Sequence, residues 1–212
     1  MGKLSILLTL MALLLPVAAQ PPLVPNETEN AHPAGVGNTV LVFLPQQLFS
    51  SDEYEGVTRT LARSGVYFKL VAPDSGVCAG LSGVVVMPDF ALADARPADF
   101  AGIVLIGGPG HNLYWDDSLL HARCREFEAA GKVVAAIGIA PITLARAGLL
   151  AGRHATVASD PYAVKFIREK GARYRFKPVE VDGRVVTASD ATQARDFARA
   201  VAKLVRSGAK VR

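Results

Sequence analysis

The chain has 212 residues, of which 50% are hydrophobic and 20% charged, and its formal net charge is +4 at pH 7. This composition is too apolar for an intrinsically disordered protein and too charged for a polytopic membrane protein. The basic residues are dispersed without a block of like charges, which argues against a nucleic-acid-binding surface. A globular domain with a solvated basic surface is therefore expected.

The N-terminus has the three parts of a secretory signal peptide. Lys3 precedes an apolar stretch from Leu4 to Leu15, and small residues precede a predicted cut after Ala19. The alternative is an uncleaved membrane anchor, but the stretch is shorter than the roughly 20 residues that a spanning helix requires. We expect residues 1–19 to be removed, leaving a secreted or periplasmic protein without a stable membrane span.

A polar segment separates this predicted signal from the folded part. Residues 20–38 are rich in Pro, Asn, Glu and Ala and lack apolar periodicity, which predicts a flexible tether. An N-x-S/T sequon at Asn26 would carry a glycan only in a host that glycosylates secreted proteins. A single domain is expected over residues 39–212.

Strands and helices alternate from residue 39 onward. The predicted strands are continuous apolar runs at residues 39–44, 66–72, 101–106, 133–137 and 184–187. The first predicted helix follows a cap at Ser50 or Ser51. Four more helices are predicted, at residues 116–130, 141–147, 161–170 and 191–205. Residues 75–88 are interpreted as a hairpin excursion. This order predicts an α/β fold with a mostly parallel sheet between helices, and ligands at the carboxyl ends of its strands.

A glycine-rich turn, Gly107-Gly108-Pro109-Gly110, follows the strand at 101–106. Glycines at a strand end let backbone N–H groups approach an anionic or carbonyl oxygen. The other interpretation is a tight turn without a ligand. The segment matches neither the dinucleotide nor the phosphate-loop fingerprint, and no cofactor is expected.

The strand at 133–137 turns abruptly into the helix that begins at Pro141. Such a turn has the shape of a nucleophile elbow, which presents one side chain above a sheet. Gly138 stands at its apex, followed by Ile139. Because glycine has no side chain, Gly138 cannot attack a substrate.

Three segments together resemble the ThiJ/PfpI superfamily. They are D-F-A-G-I-V-L-I-G-G-P-G from Asp99, A-G-K-V-V-A-A-I-x-x-x-P from Ala130, and A-G-L-L-A-G-R-H-A-T from Ala147. The resemblance covers about residues 39–205. It implies a flavodoxin-like three-layer sandwich, related to class I glutamine amidotransferase domains and a parkinsonism-associated deglycase, that forms a homodimer. Members include glyoxalase-like and deglycase-like enzymes, isocyanide hydratases, peptidases and stress chaperones.

In that family a cysteine occupies the elbow, and a glutamate from the first helix hydrogen-bonds to it. The resemblance places Glu53 at the acid, Gly138 at the cysteine, and Gly107 and Gly108 at the oxyanion-type glycines. Where the family often has His or Tyr, residues 158–160 are Ala, Ser and Asp. The acid and the glycine turn are therefore kept, while nucleophile and base are absent.

Glu53 has two interpretations. Buried in a cleft without a cysteine partner, its carboxyl would have a raised pKa. The alternative is an ordinary glutamate in the first turn of a helix, where the helix dipole favours a negative charge.

Polar residues after the glycine turn are candidates for the mouth of the pocket. They are His111, Asn112, Tyr114, Asp116 and Asp117. We expect His111 to donate a hydrogen bond to a bound ligand. No metal is expected, because the histidines and carboxylates lack the spacing of a metal site.

The two cysteines lie elsewhere. Cys78 falls in a predicted loop and Cys124 in the middle of a predicted helix. An oxidising compartment permits a disulfide between them, and the sequence does not decide between this disulfide and two free thiols. Cys124 precedes the elbow by a full element and is interpreted as a structural thiol. Thr143, one turn after the elbow, is expected to be inert because no base adjoins it.

Three functions remain open. The leading hypothesis is a non-catalytic exported protein that binds a small ligand or a protein partner through Glu53, Gly107, Gly108 and Gly138. The alternative is a cysteine-independent hydrolase, lyase or hydratase in which Glu53, with His111 or a water, acts as general acid/base. The third is a dimeric, chaperone-like scaffold.

Overall fold

The structure is a computed structural model that describes residues 37–209. The predicted signal peptide, Asn26 and nearly all of the predicted tether lie outside the described residues. Within residues 37–209, no helix has the length and apolar character needed to cross a membrane.

Strands and helices alternate along the described chain. The strands are β1 (Thr39–Phe43), β2 (Gln47–Phe49), β3 (Tyr67–Ala72), β4 (Cys78–Gly80), β5 (Val85–Val86), β6 (Phe90–Ala91), β7 (Gly102–Leu105), β8 (Val133–Ile137), β9 (His154–Ala155), β10 (Arg173–Tyr174), β11 (Val179–Asp182) and β12 (Val185–Ala188). The α-helices are α1 (Ser51–Arg63), α2 (Ser118–Ala129), α3 (Pro141–Arg146), α4 (Pro161–Glu169) and α5 (Ala194–Ala209).

The central sheet has seven strands in the order β11-β12-β8-β7-β1-β3-β6. Its neighbouring strands run parallel except for the antiparallel pair β11–β12. Every residue of β7 and β8 is buried, as expected for strands covered on both faces. The predicted α/β sandwich with a mostly parallel sheet is confirmed.

Alternate residues of β1 face two different cores, because side chains of a strand point to opposite faces in turn. Leu41 and Phe43 pack in the core that contains residues of α2, α3 and α4. Val40 and Val42 pack in the core that contains residues of α1 and α5. Both faces of the sheet are therefore covered by helices.

Smaller sheets lie beside the central one. The predicted hairpin excursion contains the antiparallel pair β4–β5, and β4 also pairs with β2. Separately, β9 and β10 form a two-stranded parallel sheet, and β9 packs beside β11.

The C-terminal strands differ from the prediction. The strand expected at residues 184–187 is β12, and it pairs with β11, which was not predicted. A two-residue loop of Gly183 and Arg184 joins them, and Gly183 has a φ of +61°. A glycine at a tight turn between two valine-containing segments is the signal of a hairpin.

The Cys78–Cys124 disulfide does not form. Both cysteines are free and buried. Cys78 lies in β4 rather than a loop and belongs to the core on the α1–α5 side, whereas Cys124 belongs to the core on the α2–α4 side. The two thiols are therefore in separate cores.

Candidate functional site

The candidate site lies at the edge of the sheet where β1, β7 and β8 end. Three of the predicted residues come together there: Glu53 from α1, Gly107 after β7 and Gly138 after β8. We call these three residues the elbow site. The parallel order of the strands produces this meeting, because the carboxyl ends of parallel strands lie on the same edge.

Glu53 is held in the first turn of α1. The Ser50 side chain caps this helix and accepts a hydrogen bond from the Glu53 N–H at 3.4 Å. The Glu53 residue is only 5% exposed. Its Oε2 accepts a hydrogen bond of 2.7 Å from the Gly107 N–H. The carboxyl is thus directed into the sheet edge rather than into solvent.

Gly138 forms the apex of the turn between β8 and α3, with a φ of +66°. Its N–H donates to the Ala188 carbonyl at 3.0 Å, and its carbonyl accepts from the Ala158 N–H at 2.8 Å. A Cβ at position 138 would collide with Oε1 of Glu53. The glutamate carboxyl therefore occupies the space in which a side chain at Gly138 would begin.

Burial changes the acidity of this carboxyl. Loss of hydration raises the pKa of Glu53 from 4.5 to about 7, and the nearby charges of Asp190 and Asp52 act in the same direction. The Gly107 N–H opposes the shift by stabilising the carboxylate. The structure therefore favours the first of the two sequence-based interpretations, in which Glu53 is a buried carboxyl with a raised pKa. Near neutral pH it can hold or release a proton.

The glycine-rich turn packs against the segment that leads into α1. The Gly107 carbonyl accepts from the Ser50 N–H at 3.0 Å. Gly108 has a φ of +105°, and a Cβ there would collide with the Ser50 backbone. Position 108 requires glycine because the two backbone segments approach each other closely. The N–H of Gly107 already donates its hydrogen bond to Glu53.

His111 does not lie at a pocket mouth. It belongs to the short 3-10 helix Pro109–Tyr114 and is 0% exposed. Its ring contacts those of Phe43 and Tyr114 edge-on, with centroids 5.8 and 6.4 Å away. The 3-10 turn directs the imidazole into the core, which corrects the expectation that it donates to a bound ligand.

Both ring nitrogens of His111 have partners. Nδ1 lies 2.7 Å from the Ile106 carbonyl and Nε2 lies 3.0 Å from Oγ1 of Thr143. Burial lowers the pKa of His111 to about 4, so the ring is neutral at pH 7. Because a carbonyl only accepts, Nδ1 carries the proton and Nε2 accepts from the Thr143 hydroxyl. Thr143 therefore does adjoin a base, but it is itself 0% exposed.

The remaining residues after the glycine turn have structural partners or face solvent. Asp116 pairs with Arg146, and Asp117 caps α2 by accepting from the Leu120 N–H at 2.7 Å. Asn112 is exposed and Tyr114 half-buried. Ile139 is also half-buried and packs against the core on the α2–α4 side.

Asp190 was missed by the sequence analysis. It follows β12, and its carboxylate accepts from the Ser189 hydroxyl at 2.6 Å and from the Thr192 N–H at 2.9 Å. These hydrogen bonds hold the pKa of Asp190 below its usual range, and its charge raises the pKa of Glu53. Its position two residues after a buried strand was the available signal.

Other reactive groups are remote or buried. Burial raises the pKa of both Cys78 and Cys124 to about 12, which disfavours the thiolate needed for nucleophilic attack. No group of three or more His, Cys, Asp or Glu residues in the described part of the chain could hold a metal ion.

Comparison with known proteins extends these observations. An uncharacterized protein of Methanocaldococcus jannaschii is 30% identical over 206 residues, which cover 97% of this chain and 98% of the relative. The crystal structure of a ThiJ/PfpI domain protein from Brachyspira murdochii superposes with a TM-score of 0.78 at 27% identity, covering 82% of this chain and 99% of that one. Drosophila melanogaster DJ-1beta gives a TM-score of 0.70 at 27% identity, covering 82% and 96%.

The family itself is identified by a match along most of the chain. The model of the DJ-1/PfpI family, which is the family predicted under the name ThiJ/PfpI, matches residues 38–204. This range contains all three residues of the elbow site. With the sheet order and the structural relatives in agreement, the protein belongs to the DJ-1/PfpI family.

Proposed function

We propose that this protein is an exported DJ-1/PfpI family member without the cysteine chemistry of the elbow, and that it binds a small ligand non-covalently beside Glu53. One observation carries the proposal: the Glu53 carboxyl occupies the space in which a side chain at Gly138 would begin. A buried carboxyl with a pKa of about 7 can donate a hydrogen bond when protonated and accept one when ionised. A small neutral amide, which also donates and accepts, has complementary chemistry.

The binding test uses acetamide as the probe, followed by ligand-observed NMR. We expect saturable binding that Glu53→Leu abolishes. Glu55→Gln is the matched control, because Glu55 is exposed on the same helix and forms an exposed ion pair with Arg59. Equal binding by wild type and Glu53→Leu would contradict the proposal.

A second candidate is a cysteine-independent hydrolase, lyase or hydratase, and the raised pKa of Glu53 favours it. A general acid/base works best when its pKa lies near the working pH. Such an enzyme would show a pH–rate profile with an inflection near 7 that Glu53→Gln removes. Cys78→Ser and Cys124→Ser would leave the rate unchanged. Consumption of methylglyoxal, measured with these three variants, separates this candidate from the binding protein.

Export and dimer formation are parts of the same proposal. N-terminal sequencing of protein recovered from the secreted or periplasmic fraction should begin at Gln20.

Exposed apolar side chains on and near the β4–β5 hairpin support a homodimer: Leu48, Leu81 and Met87 are 50%, 53% and 55% exposed. Light scattering after size exclusion should give twice the mass of the chain.

A further inference from the structure

A second candidate site lies away from the elbow, in a groove between α1 and α5. Its volume is about 500 Å³. Two arginines of α1, Arg59 and Arg63, and two of α5, Arg195 and Arg199, line it. We call these four residues the arginine groove. All four are exposed.

The close packing of the two helices brings these arginines together. Gly56 of α1 lies against Ala194 of α5, so closely that a Cβ on the glycine would be 2.7 Å from the Ala194 Cβ. Arg59 and Arg63 are four residues apart and share one side of α1, and the same spacing places Arg195 and Arg199 on one side of α5. The groove therefore has two cationic walls from two different helices.

The charges in the groove are only partly balanced. Arg59 pairs with Glu55 at 3.5 Å and Arg199 with Asp196 at 3.0 Å, and all four side chains of these pairs are about half exposed or more. Exposed pairs of this kind are weak, so an anion can compete for either arginine. Arg63 and Arg195 have no acidic partner among residues 37–209.

We infer that the arginine groove binds a phosphate-bearing polyanion. Guanidinium groups bind phosphate oxygens through two parallel N–H donors, which gives both strength and orientation. Cations on two facing helices favour a ligand with several phosphate groups over a single ion, because each wall can engage a different group. Such phosphates could come from a soluble oligophosphate or from the headgroups of an anionic membrane, and the experiment separates these sources.

The test measures binding of inorganic tripolyphosphate by calorimetry and of phosphatidylglycerol vesicles by co-sedimentation. Low salt, about 50 mM, keeps charge interactions measurable. The groove variant is Arg63→Gln/Arg195→Gln. The matched control is Arg96→Gln/Arg173→Gln, which removes the same charge from two exposed arginines outside the groove. We expect the groove variant to bind at least about tenfold more weakly, and the control to bind within about twofold of wild type.

Saturable tripolyphosphate binding identifies a soluble ligand, and vesicle binding alone identifies a membrane surface. An equal loss in groove and control variants would overturn the inference, because it would indicate general charge attraction. Absence of saturable binding to both probes would also overturn it. If the glutamine variant does not fold, Arg63→Lys/Arg195→Lys keeps the charge but removes the two-donor geometry, and it should still bind more weakly than wild type. Glu53→Gln should bind normally, which separates this inference from the proposed function.

Discussion

At the residue scale, the contact between Glu53 and Gly138 decides what the elbow site can do. A side chain at position 138 would need both a left-handed backbone and the volume now taken by the carboxyl. The glycine at position 138 and the inward position of the acid are therefore two parts of one arrangement. The resulting group is a single buried acid rather than an acid–nucleophile pair.

Gly138→Ala should destabilise the fold through this contact. The φ of +66° alone costs about 1–3 kcal/mol for a residue with a Cβ, and the collision with Glu53 Oε1 adds to it. Gly131→Ala is the control, because Gly131 has a φ of +64° and no atom lies within 4 Å of the place that its Cβ would take. Urea unfolding should show a larger loss for Gly138→Ala than for Gly131→Ala. Equal losses would mean that the carboxyl moves aside freely.

Glu53→Gln should change how stability depends on pH. The folded-state pKa of about 7 lies above the ordinary value of 4.5, so the folded protein holds a proton that the unfolded chain releases. The Glu53 contribution to the free energy of unfolding should therefore fall as pH rises from 4.5 through 7, by up to about 3 kcal/mol. Because Glu53→Gln lacks this contribution, its free energy of unfolding relative to wild type should rise over this range, whereas that of Glu55→Gln relative to wild type should stay constant. Denaturant unfolding at pH 4.5, 6 and 8 measures the difference.

His111 should act in the opposite direction. Its folded-state pKa of about 4 lies below the ordinary 6.5, so the unfolded chain binds a proton that the folded protein excludes. The His111 contribution to the free energy of unfolding should fall as pH decreases from 6.5 towards 4, again by up to about 3 kcal/mol. His111→Gln should be less stable at pH 8 because its packing changes, but it should lose less on acidification than wild type. A parallel loss in both proteins would contradict the buried neutral ring.

The residues of the site differed in how well the sequence predicted them. Glu53 and Gly138 were placed by the family resemblance, and the structure brings them into contact. The orientation of His111 was not predictable, because one 3-10 turn decides whether a side chain faces a cleft or the core. Asp190 carries no motif of its own, and its influence on Glu53 arises only from the folding of distant segments.

At the element scale, the contact between α1 and α5 depends on a glycine inside a helix. Gly56 has no conformational need to be glycine, and alanine would usually stabilise a helix by about 1 kcal/mol. Here the added Cβ would approach the Ala194 Cβ to 2.7 Å, which the two helices cannot accommodate without moving apart.

Gly56→Ala should therefore destabilise the protein, by about 1–3 kcal/mol, despite its better helix propensity. The reciprocal change Gly56→Ala/Ala194→Gly moves the methyl group to the other helix and should recover most of the loss. Thermal unfolding of both variants tests this. Stabilisation by Gly56→Ala alone would show that the helices are not in close contact.

Strands whose burial is complete could be predicted from the sequence. Strands such as β7 and β8 are continuous apolar runs, and their burial on both faces follows from the parallel sheet. β11 was missed because it is an edge strand with half-buried and exposed residues, so its pattern carries little apolar signal. β2 is three residues long with two exposed, which is too short for any periodicity.

At the scale of the whole molecule, the sheet separates the two thiols. Cys78 and Cys124 are buried in different cores. Thermal unfolding should therefore have the same midpoint with and without dithiothreitol, even for protein recovered from an oxidising compartment. A lower midpoint in reductant would indicate a disulfide. Cys78→Ser/Cys124→Ser is the control that contains no thiol.

The two buried titratable groups beside the sheet edge also determine the proton balance of folding. Between about pH 4.5 and 6.5, folding should capture a proton at Glu53 and expel one at His111. The two transfers nearly cancel, so folding should exchange almost no net protons through this pair. Calorimetric unfolding enthalpies near pH 5.5 should then be nearly independent of the buffer's ionisation enthalpy. The pair would make the fold tolerant of mildly acidic surroundings although each member alone is sensitive to them.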